Sequence, residues 1–135
     1  MRRFCQPLPD LLVCAMVRNI LLIDDSRTEL LHLCKFLWRS GYRVRTAQSA
    51  EEAMLELGKQ VPDLILMDVV MPGTNGFSLT RNLARHPQYG KVPVFICSSK
   101  NLESDRAWGL RQGALDYFTK PVDTKLLLSR IESLA

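Results

Sequence analysis

The stretch Leu64-Ile-Leu-Met-Asp-Val-Val-Met-Pro-Gly-Thr-Asn-Gly76 constrains this chain more than any other. Four apolar residues run into a single carboxylate, Asp68, and a Met71-Pro72-Gly73 break and Gly76 follow. An apolar run of this length bounded by turn residues predicts a strand buried on both faces. Asp68 then stands at the carboxyl end of that strand, where open α/β sheets hold their ligands. A lone aspartate there would more often only end a strand or cap a helix. The same device recurs along the chain, and the recurrence gives Asp68 its meaning.

Asn19-Ile-Leu-Leu-Ile-Asp24 reads as a second buried strand, ending in the paired acids Asp24 and Asp25. Ser26 and Glu29 form a capping box that opens a helix. Leu30, Leu33, Cys34, Leu37 and Trp38 give that helix an apolar face, and Gly41 stops it. Tyr42 to Thr46 alternates as a strand nearer the sheet edge does. Ser49 and Glu52 make a second capping box, and Ala50, Ala53, Met54 and Leu57 the stripe of a second helix. A third helix is expected from about Phe77 to Arg85, with Phe77, Leu83 and Ala84 inward, ended by His86-Pro87. Val92 to Cys97 is a further strand, finishing in Ser98-Ser99. A fourth helix runs from about Leu102 to Gln112 and closes at Gly113. Leu115 to Thr119 is a short fifth strand ending in Lys120-Pro121. Asp123 caps the last helix, whose core face is Leu127, Ile131 and Leu134. Five strands alternating with five helices predict an α/β fold, a doubly wound five-stranded parallel sheet with right-handed crossovers.

At 135 residues the chain is long enough for one domain with a real core and too short for two ordinary ones. Residues 18–135 form that domain. Residues 1–17 are read as an irregular N-terminal extension, because Pro7, Pro9 and Asp10 interrupt its apolar stretch. No apolar run approaches the ~20 residues of a membrane span. The net charge of +4 is mild and the basic residues are spread out, so no nucleic-acid partner is expected. The four cysteines show neither C-x-x-C spacing nor a disulfide framework, which suits a reducing cytoplasm. His32 and His86 lack acid or cysteine partners at ligand spacing and are expected to be bystanders. Trp108 fits core and partner surface equally well.

In a parallel sheet all carboxyl ends share one edge. Asp24, Asp25, Asp68, Ser98 and Lys120 therefore converge from four separate segments. Three carboxylates about 4 Å apart repel by roughly 4 kcal/mol per pair at an effective dielectric near 20. Lys120 supplies one compensating charge, and a divalent ion with oxygen ligands, Mg²⁺, is the natural remainder. An acceptor carboxylate, a magnesium ion, a lysine and a hydroxyl suit phosphoryl transfer to Asp68.

These blocks resemble the receiver domains of two-component response regulators, with their flavodoxin-like, CheY-like (βα)5 fold. The paired acids lie in ILLIDDS, the acceptor in LILMDVVMPGTNG, the hydroxyl in VPVFICSS and the lysine in DYFTKP, in the family's order and spacing. The resemblance implies that Asp68 is phosphorylated by a histidine kinase or phosphotransfer domain. It implies that Asp24, Asp25, Asp68 and the backbone carbonyl of Val70 bind Mg²⁺, and that the Lys120-Pro121 bond is cis. Ser98 would be the switch hydroxyl and Tyr117 the aromatic that turns inward on activation. The face made by the fourth helix, fifth strand and fifth helix would then signal to a downstream protein. Ser98 stands where threonine is more usual and Ser99 where alanine is, which bears on the lifetime of the phosphoryl group rather than on the mechanism. The segment from Asp105 to Tyr117, with TKPVD after it and GTNGF before, is similar to stand-alone regulators of type IV pilus twitching motility, the PilH kind. A monomer with no attached output domain is expected, which is not an enzyme beyond its own phosphorylation and dephosphorylation. The alternatives are a phosphate sink for a sister regulator and a flagellar chemotaxis regulator. A haloacid-type phosphatase would want Asp-x-Asp after the first strand, and a flavodoxin a Ser/Thr/Gly-rich phosphate loop. Asp24-Asp25-Ser-Arg and Asp68-Val-Val supply neither. A degenerate receiver serving only as an interaction module is opposed by the intact acids and lysine.

Overall fold

The central strands are apolar over Ile20–Ile23, Leu64–Met67 and Val94–Cys97 because both of their faces are covered. A computed structural model of the protein describes residues 17–71 and 73–134. Apart from Val17, the extension expected over residues 1–17 lies outside the described residues, as does Pro72. The elements run β1 (Asn19–Ile23), α1 (Arg27–Arg39), β2 (Arg43–Ala47), α2 (Ala50–Lys59), β3 (Leu64–Met67), β4 (Val70–Met71), β5 (Thr74–Asn75), α3 (Gly76–Ala84), β6 (Val94–Ser98), α4 (Glu103–Arg111), β7 (Asp116–Thr119) and α5 (Thr124–Glu132). Five strands form a parallel sheet in the order β2-β1-β3-β6-β7. This is the doubly wound sheet the alternation predicts.

Successive residues of one strand point to opposite faces. Leu21, Ile23, Ile65 and Met67 accordingly pack into one core with Ala53, Leu57, Leu79 and Leu83 of α2 and α3. Ile20, Leu22, Leu64 and Leu66 pack into a second core with Leu30, Leu37, Leu127 and Ile131 of α1 and α5. A third cluster of Val69, Phe77, Ile96, Ala114 and Tyr117 lies toward the β7 edge. At the other edge, Arg45 of β2 donates to the carbonyls of Glu56 (2.7 Å) and Gln60 (2.6 Å) and to the Glu56 carboxylate (3.0 Å). That cation satisfies the carbonyl end of α2, which a helix leaves unpaired.

Three helix-face expectations are corrected. Trp38 is 66% exposed. It follows Leu37, which is fully buried, and one residue's rotation of about 100° carries the indole onto the solvent side. Met54 is 39% exposed for the same reason, beside the buried Ala53. In α3 Ala84 is exposed, and the buried face is Gly76, Phe77, Leu79, Thr80 and Leu83. That set follows the i, i+3, i+4, i+7 spacing from Gly76. The loop after β3 also contains a two-residue antiparallel pair, Val70–Met71 with Thr74–Asn75, too short to leave a strand pattern in the sequence. Gly73 turns it at φ 74°, a conformation costly for a side chain with a Cβ.

Candidate functional site

Backbone hydrogen bonds hold Asp24, Asp68 and Lys120 of the predicted site just beyond their strands. The Asp24 amide donates to the carbonyl of Ala47 (3.0 Å), the Asp68 amide to that of Ile23 (2.8 Å), and the Lys120 amide to that of Ser98 (2.8 Å). The sheet ladder itself therefore sets the separations at this edge. Asp24 and Asp68 are buried, with 8% and 7% exposure, while Asp25 is exposed. Carboxylate oxygens of the three lie within 4.8 Å of one another. One oxygen of Asp24 accepts from the Ser26 amide (2.9 Å) and one of Asp68 from the Val70 amide (3.2 Å). These local turns orient the remaining Oδ2 atoms toward Lys120.

The Lys120 ammonium sits 2.7 Å from Asp24 Oδ2 and 3.6 Å from Asp68 Oδ2. A third carboxylate, that of Glu29, is 2.8 Å from it. The Lys120-Pro121 bond is cis. Glu29 departs from the capping box expected of it. Ser26 Oγ does accept from the Glu29 amide (3.3 Å), but the Ser26 amide is already taken by Asp24, and the Glu29 side chain reaches Lys120 instead. The second box is complete in function but shifted by one residue, with Glu52 accepting from the Gln48 amide (2.9 Å).

Burial raises the Asp68 pKa above the ordinary carboxylate range, helped by the neighbouring charges of Asp24 and Asp25. The Val70 amide and Lys120 act in the opposite sense without cancelling it. For Lys120 burial opposes the charge, but hydrogen bonds to Asp24 and Glu29 and the charges of Asp24 and Asp68 outweigh it and raise the pKa. Four carboxylates around one ammonium leave a local excess of negative charge when all are ionised. The donor set is oxygen only, with no sulfur or imidazole among the three clustered residues, and so it fits a hard divalent cation. Cys97 lies in the wall beneath, and burial pushes its thiol up to about 12, so it is no nucleophile at neutral pH.

Ser98 is fully buried, and its Oγ accepts from the Lys100 amide (3.2 Å). The Ser98 hydroxyl can also donate. Burial raises the pKa of the Tyr117 phenol, and Ser98 lies near enough to offset part of that rise. Tyr117, also buried, donates its phenol to the Lys100 carbonyl (2.7 Å). Both side chains are thus tied to one residue of the β6–α4 loop, Lys100, Ser98 through its amide and Tyr117 through its carbonyl. Two residues the sequence reading passed over complete this region. Arg106 of α4 donates to the Tyr117 carbonyl (2.9 Å) and faces Asp116, which Arg130 of α5 also engages. Gly109 of α4 leaves the space that the Tyr117 ring fills, since a Cβ there would meet Ile96 and Tyr117 at 2.9 Å. Gly109→Ala is expected to cost about 1–2 kcal/mol and to expose Tyr117. Faster hydrogen exchange in β7 and a lower melting temperature would show this. Trp108 is 45% exposed, which favours the surface alternative. His32 is exposed and lines the cavity that reaches the carboxylates without joining their cluster, and His86 stacks on Tyr89 with ring centroids 4.2 Å apart.

Residues 20–132 match the response regulator receiver domain. The chain is 43% identical over 116 residues to protein PilH of Pseudomonas aeruginosa, covering 86% of this chain and 96% of that protein. A putative response regulator of Chloroflexus aurantiacus has a similar solved structure, with TM-score 0.82, 31% identity, and 87% and 97% of the two chains covered. The chemotaxis protein CheY4 of Vibrio cholerae follows the same fold, with TM-score 0.80, 26% identity, and 88% and 99% covered.

Proposed function

The chain belongs to the response regulator receiver domain family, and on that premise we propose that it is a phosphorylation switch whose acceptor is Asp68. The observation that carries this reading is the gathering of Asp24, Asp25 and Asp68 within 4.8 Å, with Lys120 between Asp24 and Asp68. The donor is a histidine kinase or phosphotransfer domain. An Asp68 carboxylate oxygen attacks phosphorus in line, the P–O bond forms, and the P–N bond breaks. The donor imidazole leaves with the electron pair and takes up a proton from solvent. A cavity of about 360 Å³, lined by Asp24, Thr28, Glu29, Asp68, Lys120 and Pro121 among others, opens onto the carboxylates. It has room for a phosphorylated imidazole.

Asp24, Asp25, Asp68 and the Val70 carbonyl would hold Mg²⁺, which when bound neutralises charge on the phosphoryl oxygens. Lys120 offers its ammonium to one of those oxygens and Ser98 its hydroxyl proton to another. Moving Ser98 pulls on the Lys100 amide, and so on the residue whose carbonyl accepts from Tyr117. The readout is the face of α4, β7 and α5, offered to a downstream protein. Couplings of this type are typically worth about 1–3 kcal/mol. Among the described residues no helix is long and apolar enough to cross a membrane. We place the protein in the cytoplasm, as a monomer with no enzymatic activity beyond turning over its own phosphoryl group. The likeness to PilH favours chemosensory control of type IV pilus twitching motility as its pathway.

With Mg²⁺, beryllofluoride or acetyl phosphate is expected to shift the amide resonances of Asp68, Val69, Ser98 and Tyr117. Chelation of the metal should abolish those shifts. A spectrum indifferent to either reagent with Mg²⁺ present would defeat the proposal.

A further inference from the structure

We infer that Glu29 is a positioning residue that holds Lys120 back from the acceptor and so sets how readily the site takes a phosphoryl group. The inference rests on the phosphoacceptor reading above and adds a residue to it. Lys120 has two close carboxylate partners, Asp24 at 2.7 Å and Glu29 at 2.8 Å, while Asp68 is distant at 3.6 Å. The ammonium thus hydrogen-bonds Asp24 and Glu29 and stands about one ångström short of such a bond to the nucleophile. To stabilise a phosphoryl group on Asp68 it must move toward Asp68 and loosen a bond to one of the two. Asp24 is buried, hydrogen-bonded to the Ser26 amide and part of the carboxylate cluster. Glu29 stands outside that cluster, on the first turn of α1, with its side chain half exposed. Water can solvate Glu29 after Lys120 leaves, so this is the bond that yields.

Glu29 has a second effect of the same sign. It lines the cavity through which an anionic phosphoryl donor would approach, and its charge repels that donor. The capping role left to the residue needs only its backbone amide, which donates to Ser26 Oγ. The carboxylate's remaining part in α1 is the favourable charge of a first-turn acid, a small contribution that a melt of the variant reads separately.

Glu29→Gln keeps the size and the amide and removes the charge. With saturating Mg²⁺, its apparent affinity for beryllofluoride and its labelling rate from acetyl phosphate should each rise about three- to fivefold, the worth of a partly exposed ion pair. A merely structural residue would leave these unchanged or lower them, and a thermal melt confirms that the variant is folded. The same substitution in a Lys120→Met background should give no more than half of that gain. A full gain there would mean that Glu29 acts on the anion alone, and would overturn its role through Lys120. Unchanged or weaker binding by Glu29→Gln, with wild type responding normally, would also overturn it. A wild type that takes up neither reagent would refute the phosphoacceptor reading instead.

Discussion

Asp68→Asn should take up less than about one per cent of the label that wild type accepts from a phosphorylated histidine donor, because an amide oxygen does not form the acyl phosphate. The same variant should be more stable than wild type when metal is absent. Its parent carboxylate is buried beside Asp24 and Asp25, and Lys120 is 3.6 Å away and committed to Asp24 and Glu29. Relief of that repulsion is expected to be on the order of 1 kcal/mol, or roughly 3–5 °C in melting temperature. The pH dependence has a definite sign. The Asp68 pKa is raised in the folded protein, so the group supports folding most where it is protonated. That contribution is complete below the pKa of the unfolded carboxylate, about 3.9, and is lost as pH rises through the folded-state value. Wild type without metal should therefore lose stability relative to Asp68→Asn as pH rises above the unfolded value, and Mg²⁺ should reverse the loss in wild type only. Labelling, which uses the ionised carboxylate with Mg²⁺ bound, should fall at lower pH than the metal-free transition, since the cation favours the charged form. Parallel melts of the two proteins at several pH values, with and without Mg²⁺, check all of this. A variant that labels like wild type would move the acceptor elsewhere.

The two kinds of information in the sequence had different fates. Strand ends were legible because period and content agree: Ile20–Ile23 and Leu64–Met67 are apolar throughout, and the next residue is charged. Parallel pairing then brought Asp24, Asp68, Ser98 and Lys120 to one edge with no further assumption. What escaped was any contact that depends on how one side chain chooses among partners. Glu29 had the right spacing for a capping box, yet the Ser26 amide was claimed by Asp24 and a lysine 91 residues later in the chain offered more. Nothing in the sequence marks Arg106 and Arg130 as partners of Asp116, which only the tertiary structure sets between them. Trp38 and Met54 fell one residue to the wrong side of a helical stripe, because a stripe's edge is not marked by hydrophobicity alone. In the sequence Gly76 is one more turn residue after the Met71-Pro72-Gly73 break. Its actual constraint is steric.

Gly76→Ala should be the most damaging small substitution outside the acids and lysine. Gly76 begins α3, and a Cβ there would stand 2.4 Å from Val69 Cα and 2.5 Å from the Asp68 carbonyl oxygen. Those are backbone atoms of the segment that carries the acceptor, so no side-chain rotation relieves the overlap. Either α3 or the Asp68–Val69 peptide must move, and the Gly76 amide bond to the Val69 carbonyl (3.1 Å) moves with it. Overpacking of this severity costs about 3 kcal/mol, and the melting temperature should fall by roughly 8–12 °C. Labelling of Asp68 should fall as well, since in-line attack tolerates little displacement of the nucleophile. Gly58→Ala is the matched control. Gly58 lies near the end of α2 with nothing within 4 Å of its missing Cβ. There the added methyl should stabilise by about 0.5–1 kcal/mol through helix propensity and leave labelling unchanged. Opposite signs from one chemical change would show that the helix start after the acceptor is packed to backbone contact. Equal and small effects at both positions would show that the loop after β3 can yield, and that Asp68 is held by its strand alone.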